Sequence, residues 1–213
     1  EMIAAKDVGG DFYDFFLIDK DRLGFVMADV SGKGMPAALF MAVSRTMLKS
    51  TALLGGKPGD VLGIVNDLLA AENVSTLFVT VFYGILNIRT GEVEYANGGH
   101  NLPFILRKNG GVEMMKKTGG MGLAIMEEMP FENAKLQLEK GDAMFLYTDG
   151  VTEAMDIHDN LYTDPRLEET LKKLNKNAGI SDIMNGVITD VKKFATGAPQ
   201  ADDITVLTLR YEG

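Results

Sequence analysis

The order of strand-like and helix-like patterns along the chain is the feature that most limits its fold. Two apolar strands are predicted over 12–18 and 22–30, and two helices follow, beginning at Pro36 and Pro58. Many strand patterns come next, then two more helices, then a closing strand over 204–209. Because the strands come in runs and do not alternate with helices, this order does not fit repeated βαβ units.

The middle of the chain carries the clearest strand and turn signals. Residues 77–88 are mostly β-branched, aromatic or apolar, as is typical of strands. Asn109-Gly110-Gly111 predicts a hairpin between strands over 104–107 and 112–115. Further strands are predicted near 131–138 and over 143–148, and the later helices show apolar residues at spacings of three and four. We therefore expect an α+β fold, a sandwich of sheets covered by helices.

Composition narrows the classes of partner and location. No Pro/Gly/Ser-rich linker divides the 213 residues, so we expect one domain over 1–213. The net charge is −9 and no Lys/Arg cluster exceeds a pair, which argues against a nucleic-acid partner. Apolar runs such as 36–43 are too short to span a bilayer, so we expect no direct membrane insertion. Cysteine is absent, which fits a cytoplasmic location and excludes a cysteinyl nucleophile.

Aspartates at strand ends beside glycines are the chemically informative feature. They occur in four segments: Gly9 to Asp14, Ala28 to Gly34, Tyr147 to Gly150 and Ala201 to Thr205. In three of these an apolar strand lies directly against Asp29, Asp149 or Asp203. A carboxylate fixed there is partly desolvated and needs a partner charge, for which a divalent cation bound by oxygens is suitable. Any single segment is equally typical of a turn.

Six strings of residues occur in a specific order along the chain: VGGDFYDF, ADVSGKGMPAALFM, FVTVFYGILN, YANGGHN, LYTDGVTEA and DDITVL. Together they resemble the successive motifs of the PPM-type (type-2C-like) metal-dependent protein serine/threonine phosphatases. The most similar branch is bacterial and contains stage II sporulation protein E and the RsbU-like regulators of stress sigma factors. The resemblance implies a four-layer αββα sandwich of two mainly antiparallel sheets, with two Mn²⁺ or Mg²⁺ ions at one edge.

The resemblance also implies which residues bind the two ions. Asp29 would bridge both of them, and the backbone carbonyl of Val30 would be a further ligand. Asp11 would act on the ions directly or through water, and Asp149 would bind one of them. Asp29 and Asp11 are thus candidate catalytic residues as well as candidate ligands.

The last ligand has two candidates, and the reaction follows from the ions. Asp202 is the better match, since the family pattern is an aspartate followed by Asn or Asp and then an apolar residue; Asp203 is the close alternative. The resemblance implies that a water activated by the ions hydrolyses phosphoserine or phosphothreonine without a phosphoenzyme. The missing cysteine agrees with that reaction.

Three further residues have alternative interpretations. Ser31 stands where many eukaryotic relatives have a histidine thought to act as general acid. His100 is therefore a candidate catalytic residue that protonates the leaving serine oxygen or contacts the substrate; the alternative is a loop histidine bonded to backbone. Lys6 holds the place of a phosphate-binding arginine in some relatives, and Lys33 lies in a glycine-flanked loop. Each lysine is either a phosphate ligand or a surface charge.

The resemblance implies a phosphoprotein substrate, most commonly a STAS-domain anti-anti-sigma partner in this branch. Whether the chain forms a homodimer is left open. Because the first motif lies a few residues from Glu1, we expect the chain to be the C-terminal catalytic part of a longer regulatory protein. A rival hypothesis from another class is a pseudophosphatase that binds a phosphoprotein without catalysis. Its sign would be a missing metal aspartate, and every expected acid is present.

Overall fold

The computed structural model describes residues 1–6, 8–71, 73, 76–174 and 179–213. Those residues form ten strands and five helices in the following order: β1 (Met2–Ile3), β2 (Phe12–Leu17), β3 (Arg22–Val30), α1 (Met35–Leu53), α2 (Pro58–Ala71), β4 (Val79–Asn87), β5 (Glu92–Gly98), β6 (Phe104–Leu106), β7 (Val112–Met114), β8 (Ala134–Gln137), β9 (Ala143–Tyr147), α3 (Asp149–Thr152), α4 (Asp164–Leu174), α5 (Ile180–Phe194) and β10 (Ile204–Arg210). The predicted order is confirmed.

The strands of the described segments form two five-stranded sheets with antiparallel pairing. One sheet has the order β2-β3-β4-β5-β8, and the other has the order β1-β10-β9-β6-β7. Helices α1 and α2 pack on the first sheet, whereas α4 and α5 pack on the second. The expected α+β sandwich with four layers in the order αββα is therefore confirmed.

Strand β3 is buried on both faces over residues 24–28, which explains why that part of its sequence is apolar without interruption. Phe25 and Met27 belong to the core between the sheets, whereas Val26 and Ala28 belong to the core beneath α1 and α2. Side chains of a strand alternate between its two faces. Asp29 therefore lies on the same face as Met27, toward the other sheet, at the end of β3.

The third core lies between the second sheet and its helices. It contains the residues whose helical spacing was visible in the sequence, among them Leu167, Leu171, Ile183, Val187 and Val191. None of the described helices is both long enough and apolar enough to cross a bilayer.

Three local features differ from the expectations. Strand β1 and helix α3 were not predicted. The strand expected near 131–138 is limited to 134–137, because residues before it bond elsewhere. The Glu132 N–H donates to the Gly119 carbonyl, and the Asn133 side chain accepts from the Gly59 N–H.

Candidate active site

Two acids of the first sheet lie opposite each other at one end of the sandwich. Asp29 is the next-to-last residue of β3, and Asp11 directly precedes β2. The register pairs Phe12 with Ala28, so its continuation by one residue places Asp11 opposite Asp29. The structure thus brings together two acids that are 18 residues apart in sequence.

The second sheet brings its acids to the same end. Strands β9 and β10 are antiparallel, with Tyr147 opposite Val206. Asp149 begins α3 just after β9, and Asp202 and Asp203 directly precede β10. The end of one strand and the start of its neighbour therefore place these carboxylates together.

The Asp11 carboxylate joins the two sheets. Its Oδ2 accepts a hydrogen bond from the Thr148 hydroxyl at 2.7 Å and another from the Thr205 hydroxyl at 2.6 Å. The Thr205 N–H in turn donates to Thr148 Oγ1 at 3.1 Å. Both threonines are fully buried. They fix the orientation of Asp11, and sequence reasoning did not identify them.

The acids carry charge that is poorly compensated. Burial raises the pKa of Asp29, and repulsion from Asp11 and Asp149 raises it further. Burial also raises the pKa of Asp11, although its threonine hydrogen bonds oppose the shift. Burial, Glu153 and Asp202 raise the pKa of Asp149. Carboxylates with such raised pKa values favour a bound cation, because it offsets both their mutual repulsion and their lost hydration.

The donor atoms fit a hard divalent cation, but they do not form a preformed cage. Oxygen ligands suit Mg²⁺ and Mn²⁺. As the side chains stand, no three Asp, Glu or His residues in the described part of the chain are arranged to hold one ion. Asp202 Oδ2 lies 2.8 Å from Lys33 Nζ, a pairing that raises the lysine pKa. A cation at Asp202 would have to compete with this ammonium group.

Asp202 and Asp203 have different surroundings, although they are adjacent. Asp203 is buried; its Oδ1 accepts from the Ala5 N–H and its Oδ2 accepts from the Gly10 N–H, both at 2.8 Å. Asp202 is 38% exposed in its side chain and contributes to the charge repulsion at Asp29. These contacts favour Asp202 as the ligand. Asp203 instead holds the segment before β2 through its two backbone hydrogen bonds.

His100 lies inside a turn that is held by backbone contacts. Asn97 accepts a hydrogen bond from the His100 N–H at 2.7 Å and donates one to its carbonyl at 2.8 Å. The ring Nδ1 lies 2.9 Å from the Thr80 hydroxyl. The residue is 6% exposed, and burial lowers the pKa of His100 to about 4. A neutral imidazole at pH 7 is a weak acid, so this environment favours the loop role over proton donation.

The remaining predicted residues lie around the acids in different states of exposure. Lys6 is exposed, four residues from the Gly10 N–H that Asp203 binds. Lys33 is exposed, and its ammonium group pairs with the Asp202 carboxylate and donates to the Ala201 carbonyl. Val30 is buried, and its carbonyl oxygen lies against Gly10.

In metal-free buffer, we expect Asp11 and Asp29 to cost stability as pH rises above ~4, the ordinary carboxyl pKa. Their pKa values are raised in the folded state, which therefore binds more protons than the unfolded chain, and the free energy of unfolding falls with pH. Saturating Mn²⁺ should reverse this loss and raise Tm by about 5–10 °C. Thermal denaturation in EDTA and in Mn²⁺ across pH measures both. An unchanged Tm would count against a cation site.

Thr148→Val and Thr205→Val should each weaken Mn²⁺ binding ~10–100-fold, the usual cost of losing a group that orients a ligand. Valine keeps the branched shape but removes the hydroxyl that donates to Asp11. Calorimetric titration with Mn²⁺ gives the affinity. Thr208→Val is the matched control, since Thr208 lies buried on the same strand and its hydroxyl has no hydrogen-bond partner among the described residues. Wild-type affinity in both test variants would remove the positioning role.

Comparison with known proteins identifies relatives along nearly the whole chain. The profile of the family Stage II sporulation protein E (SpoIIE) matches residues 19–212. Protein IcfG of Synechocystis sp. is 31% identical over 235 residues, covering 96% of this chain and 36% of that protein. Phosphoserine phosphatase RsbU of Bacillus subtilis is 32% identical over 151 residues, covering 71% and 45% respectively. The chain thus spans less than half the length of either relative.

A solved structure agrees with the fold. The SiaA-PP2C domain of Pseudomonas aeruginosa matches with a TM-score of 0.87 at 19% identity, covering 99% of this chain and 85% of that one. At this identity the likeness shows the fold alone. The family match includes Asp29, Asp149 and Asp202, whereas Asp11 lies before it. Because the family profile matches residues 19–212, the chain belongs to the stage II sporulation protein E family.

Proposed function

We propose that this chain is a metal-dependent phosphatase that hydrolyses phosphoserine or phosphothreonine in a protein. The observation that carries the proposal is the cluster of Asp11, Asp29, Asp149 and Asp202 at one end of the sandwich. Burial raises the pKa of the first three, and repulsion from neighbouring acids adds to each shift, as expected for acids that bind cations. The relative RsbU is named a phosphoserine phosphatase, which supports this substrate class.

We propose two Mn²⁺ or Mg²⁺ ions as the cofactor. The residues that would hold them share oxygen donors: Asp11, Asp29, Asp149, Asp202 and the carbonyl of Val30, with Asp29 shared between the ions. Ions bound there supply Lewis-acid and water-activation chemistry for phosphoryl transfer. The chain itself orients these donors, chiefly through the two threonine hydroxyls on Asp11.

Lys33 would change partners when the site is loaded. Its ammonium now neutralises Asp202 at the exposed mouth of the acid cluster. A cation at Asp202 would release this group, which could then contact a phosphoryl oxygen as a point charge. We keep Lys33 as the candidate phosphate contact for that reason, and we keep Lys6 as a weaker one because it is exposed near the same end.

We further propose that the substrate is a STAS-domain anti-anti-sigma protein in the cytoplasm. The support is the motif resemblance to the RsbU-like branch, together with the family match. The rival pseudophosphatase hypothesis keeps the phosphoprotein but removes catalysis.

Hydrolysis of p-nitrophenyl phosphate separates the two hypotheses. The purified chain should release p-nitrophenolate with Mn²⁺ and stop when EDTA is added. Because this small substrate needs no docking surface, it tests the acid cluster alone. Binding of a phosphoprotein without any turnover, in a protein shown to bind Mn²⁺, would favour the pseudophosphatase.

The buried position of His100 makes a prediction about two substrates. An alkoxide leaving group needs a proton, whereas p-nitrophenolate leaves without one, so a general acid matters only for phosphoserine. His100→Ala should therefore slow p-nitrophenyl phosphate and a phosphoserine peptide by the same factor and lower Tm. His158→Ala, at an exposed loop histidine, is the control and should change neither. A loss confined to the phosphoserine peptide would restore the proton-donor role.

A further inference from the structure

A cleft of about 360 Å³ opens beside the acid cluster. Gly150, Glu153 and Asp202 line one side of it, so the cleft and the candidate active site share a wall. The lining also includes the end of α5 and the segment 198–201. Its volume lies near the small end of the ~300–1,000 Å³ range of ligand pockets, which suits one or two side chains.

The lining of the cleft is mainly apolar. Val191 and Ile204 are buried in it, and Met155, Leu161 and Ala195 also line it. The charged residues of the lining are Glu153, Lys192 and Asp202. An aliphatic side chain would remove apolar surface from water there, whereas a charged group of either sign would lie near a residue of like charge.

The walls of the cleft are held by hydrogen bonds. The Ala198 N–H donates to the Ala195 carbonyl at 3.0 Å, which closes the turn after α5. The Gln200 side-chain amide donates to the carbonyls of Ile3 at 2.9 Å and Asp202 at 2.8 Å. The cleft is therefore built into the fold, and its position relative to Asp202 is fixed.

We propose that this cleft binds an aliphatic side chain of the phosphoprotein substrate, close in sequence to the phosphorylated serine; the inference rests on the proposed function. A phosphate held at the acid cluster places the peptide next to the wall that Gly150 and Asp202 share with the cleft. An extended chain advances ~3.3 Å per residue, so a residue one to three positions from the serine reaches the cleft. The cleft thus sets sequence preference at one such position.

Synthetic phosphoserine peptides test this preference. A single leucine is moved through the four positions on each side of the phosphoserine in a glycine-serine background. The wild-type protein with Mn²⁺ should show kcat/KM about tenfold higher for leucine at one position, because burying a leucine is worth roughly that factor or more. Equal kcat/KM at all positions would overturn the proposal.

A second experiment on the same proposal fills the cleft with a larger side chain. In Ala195→Leu, the ratio of kcat/KM for the preferred peptide to that for the leucine-free peptide should fall to about one. Using a ratio removes any general loss of activity. Ala198→Leu fills the cleft from another lining residue. It replaces the first variant if thermal denaturation shows that Ala195→Leu does not fold. Thr189→Leu places the same side chain at an exposed position of α5 outside the cleft and should keep the wild-type ratio.

The outcomes distinguish the two proposals. A leucine preference that survives both filled variants would overturn the cleft but leave the phosphatase intact. Absence of p-nitrophenyl phosphate hydrolysis in the wild type would overturn the proposed function, and the cleft assignment with it. Loss of the ratio in both filled variants, with the ratio kept in Thr189→Leu, supports the cleft.

Discussion

Asp29→Asn is expected to lower turnover of p-nitrophenyl phosphate by at least ~10³-fold, the scale on which loss of one electrostatic contact lowers turnover. Asp29 is the candidate ligand shared by both ions, so its loss disturbs both positions. Asparagine keeps the size of the side chain but removes its charge. Steady-state kinetics in excess Mn²⁺ measures the effect, and near-normal turnover would show that Asp29 does not bridge the ions.

A second measurement on the same variant separates function from folding. In EDTA, Asp29→Asn should be at least as stable as the wild type, because burial and the charges of Asp11 and Asp149 disfavour the Asp29 carboxylate. The rise in Tm on adding Mn²⁺ should largely disappear. Asp60→Asn, at an exposed position on α2, is the charge-matched control and should keep wild-type turnover and the Mn²⁺ response. A strongly destabilised metal-free Asp29→Asn would contradict this account of the charges.

Gly150→Ala should reduce both stability and Mn²⁺ binding. A β-carbon on Gly150 would overlap the Asp203 carbonyl and press on the Asp202 backbone, so one strand end would have to move. Overpacking of this kind costs about 1–3 kcal/mol, which corresponds to a fall in Tm of about 2–12 °C for a chain of this length. Because the displaced segment carries Asp202, Mn²⁺ affinity should fall with it. Thermal denaturation and calorimetric titration give the two quantities.

Gly63→Ala is the control for Gly150→Ala. Gly63 lies within α2, where an added β-carbon has no described heavy atom within 4 Å. Alanine should stabilise this helix by about 0.5–1 kcal/mol. Unchanged stability in Gly150→Ala would mean that the backbone around Asp203 yields without cost, contrary to the packing described above.

Much of the fold could be predicted because its strands and helices carry strong periodic signals. The residues of β3 and β4 are apolar on both faces since each strand lies between two cores, and α5 shows its buried face at spacings of three and four. The pairing of strands that are distant in sequence was not visible. Strand β1 has two residues and exists through its pairing with β10, which no local pattern reports.

The candidate site could be predicted as a set of segments but not as a set of contacts. The acids of the motifs do gather at one end of the sandwich. Thr148 and Thr205 stand beside motif acids in the sequence, yet their joint contact with Asp11 depends on the register of two sheets. Likewise, Asp202 and Asp203 are adjacent in sequence, yet Asp203 accepts from two backbone amides whereas Asp202 pairs with Lys33. The burial of His100 favours the loop role over proton donation, and it follows from packing around Thr80 and Asn97.

The most direct test of the acid cluster is a Mn²⁺ titration of the metal-stripped protein, with bound metal and hydrolysis of a phosphoserine peptide measured in the same samples. If the acid cluster holds two ions, no hydrolysis is expected in chelator. Activity should then rise with the number of bound Mn²⁺ ions to a maximum at two ions per chain. Asp29→Asn should reach neither that stoichiometry nor that activity. Full hydrolysis by the metal-stripped protein in excess chelator would contradict the account.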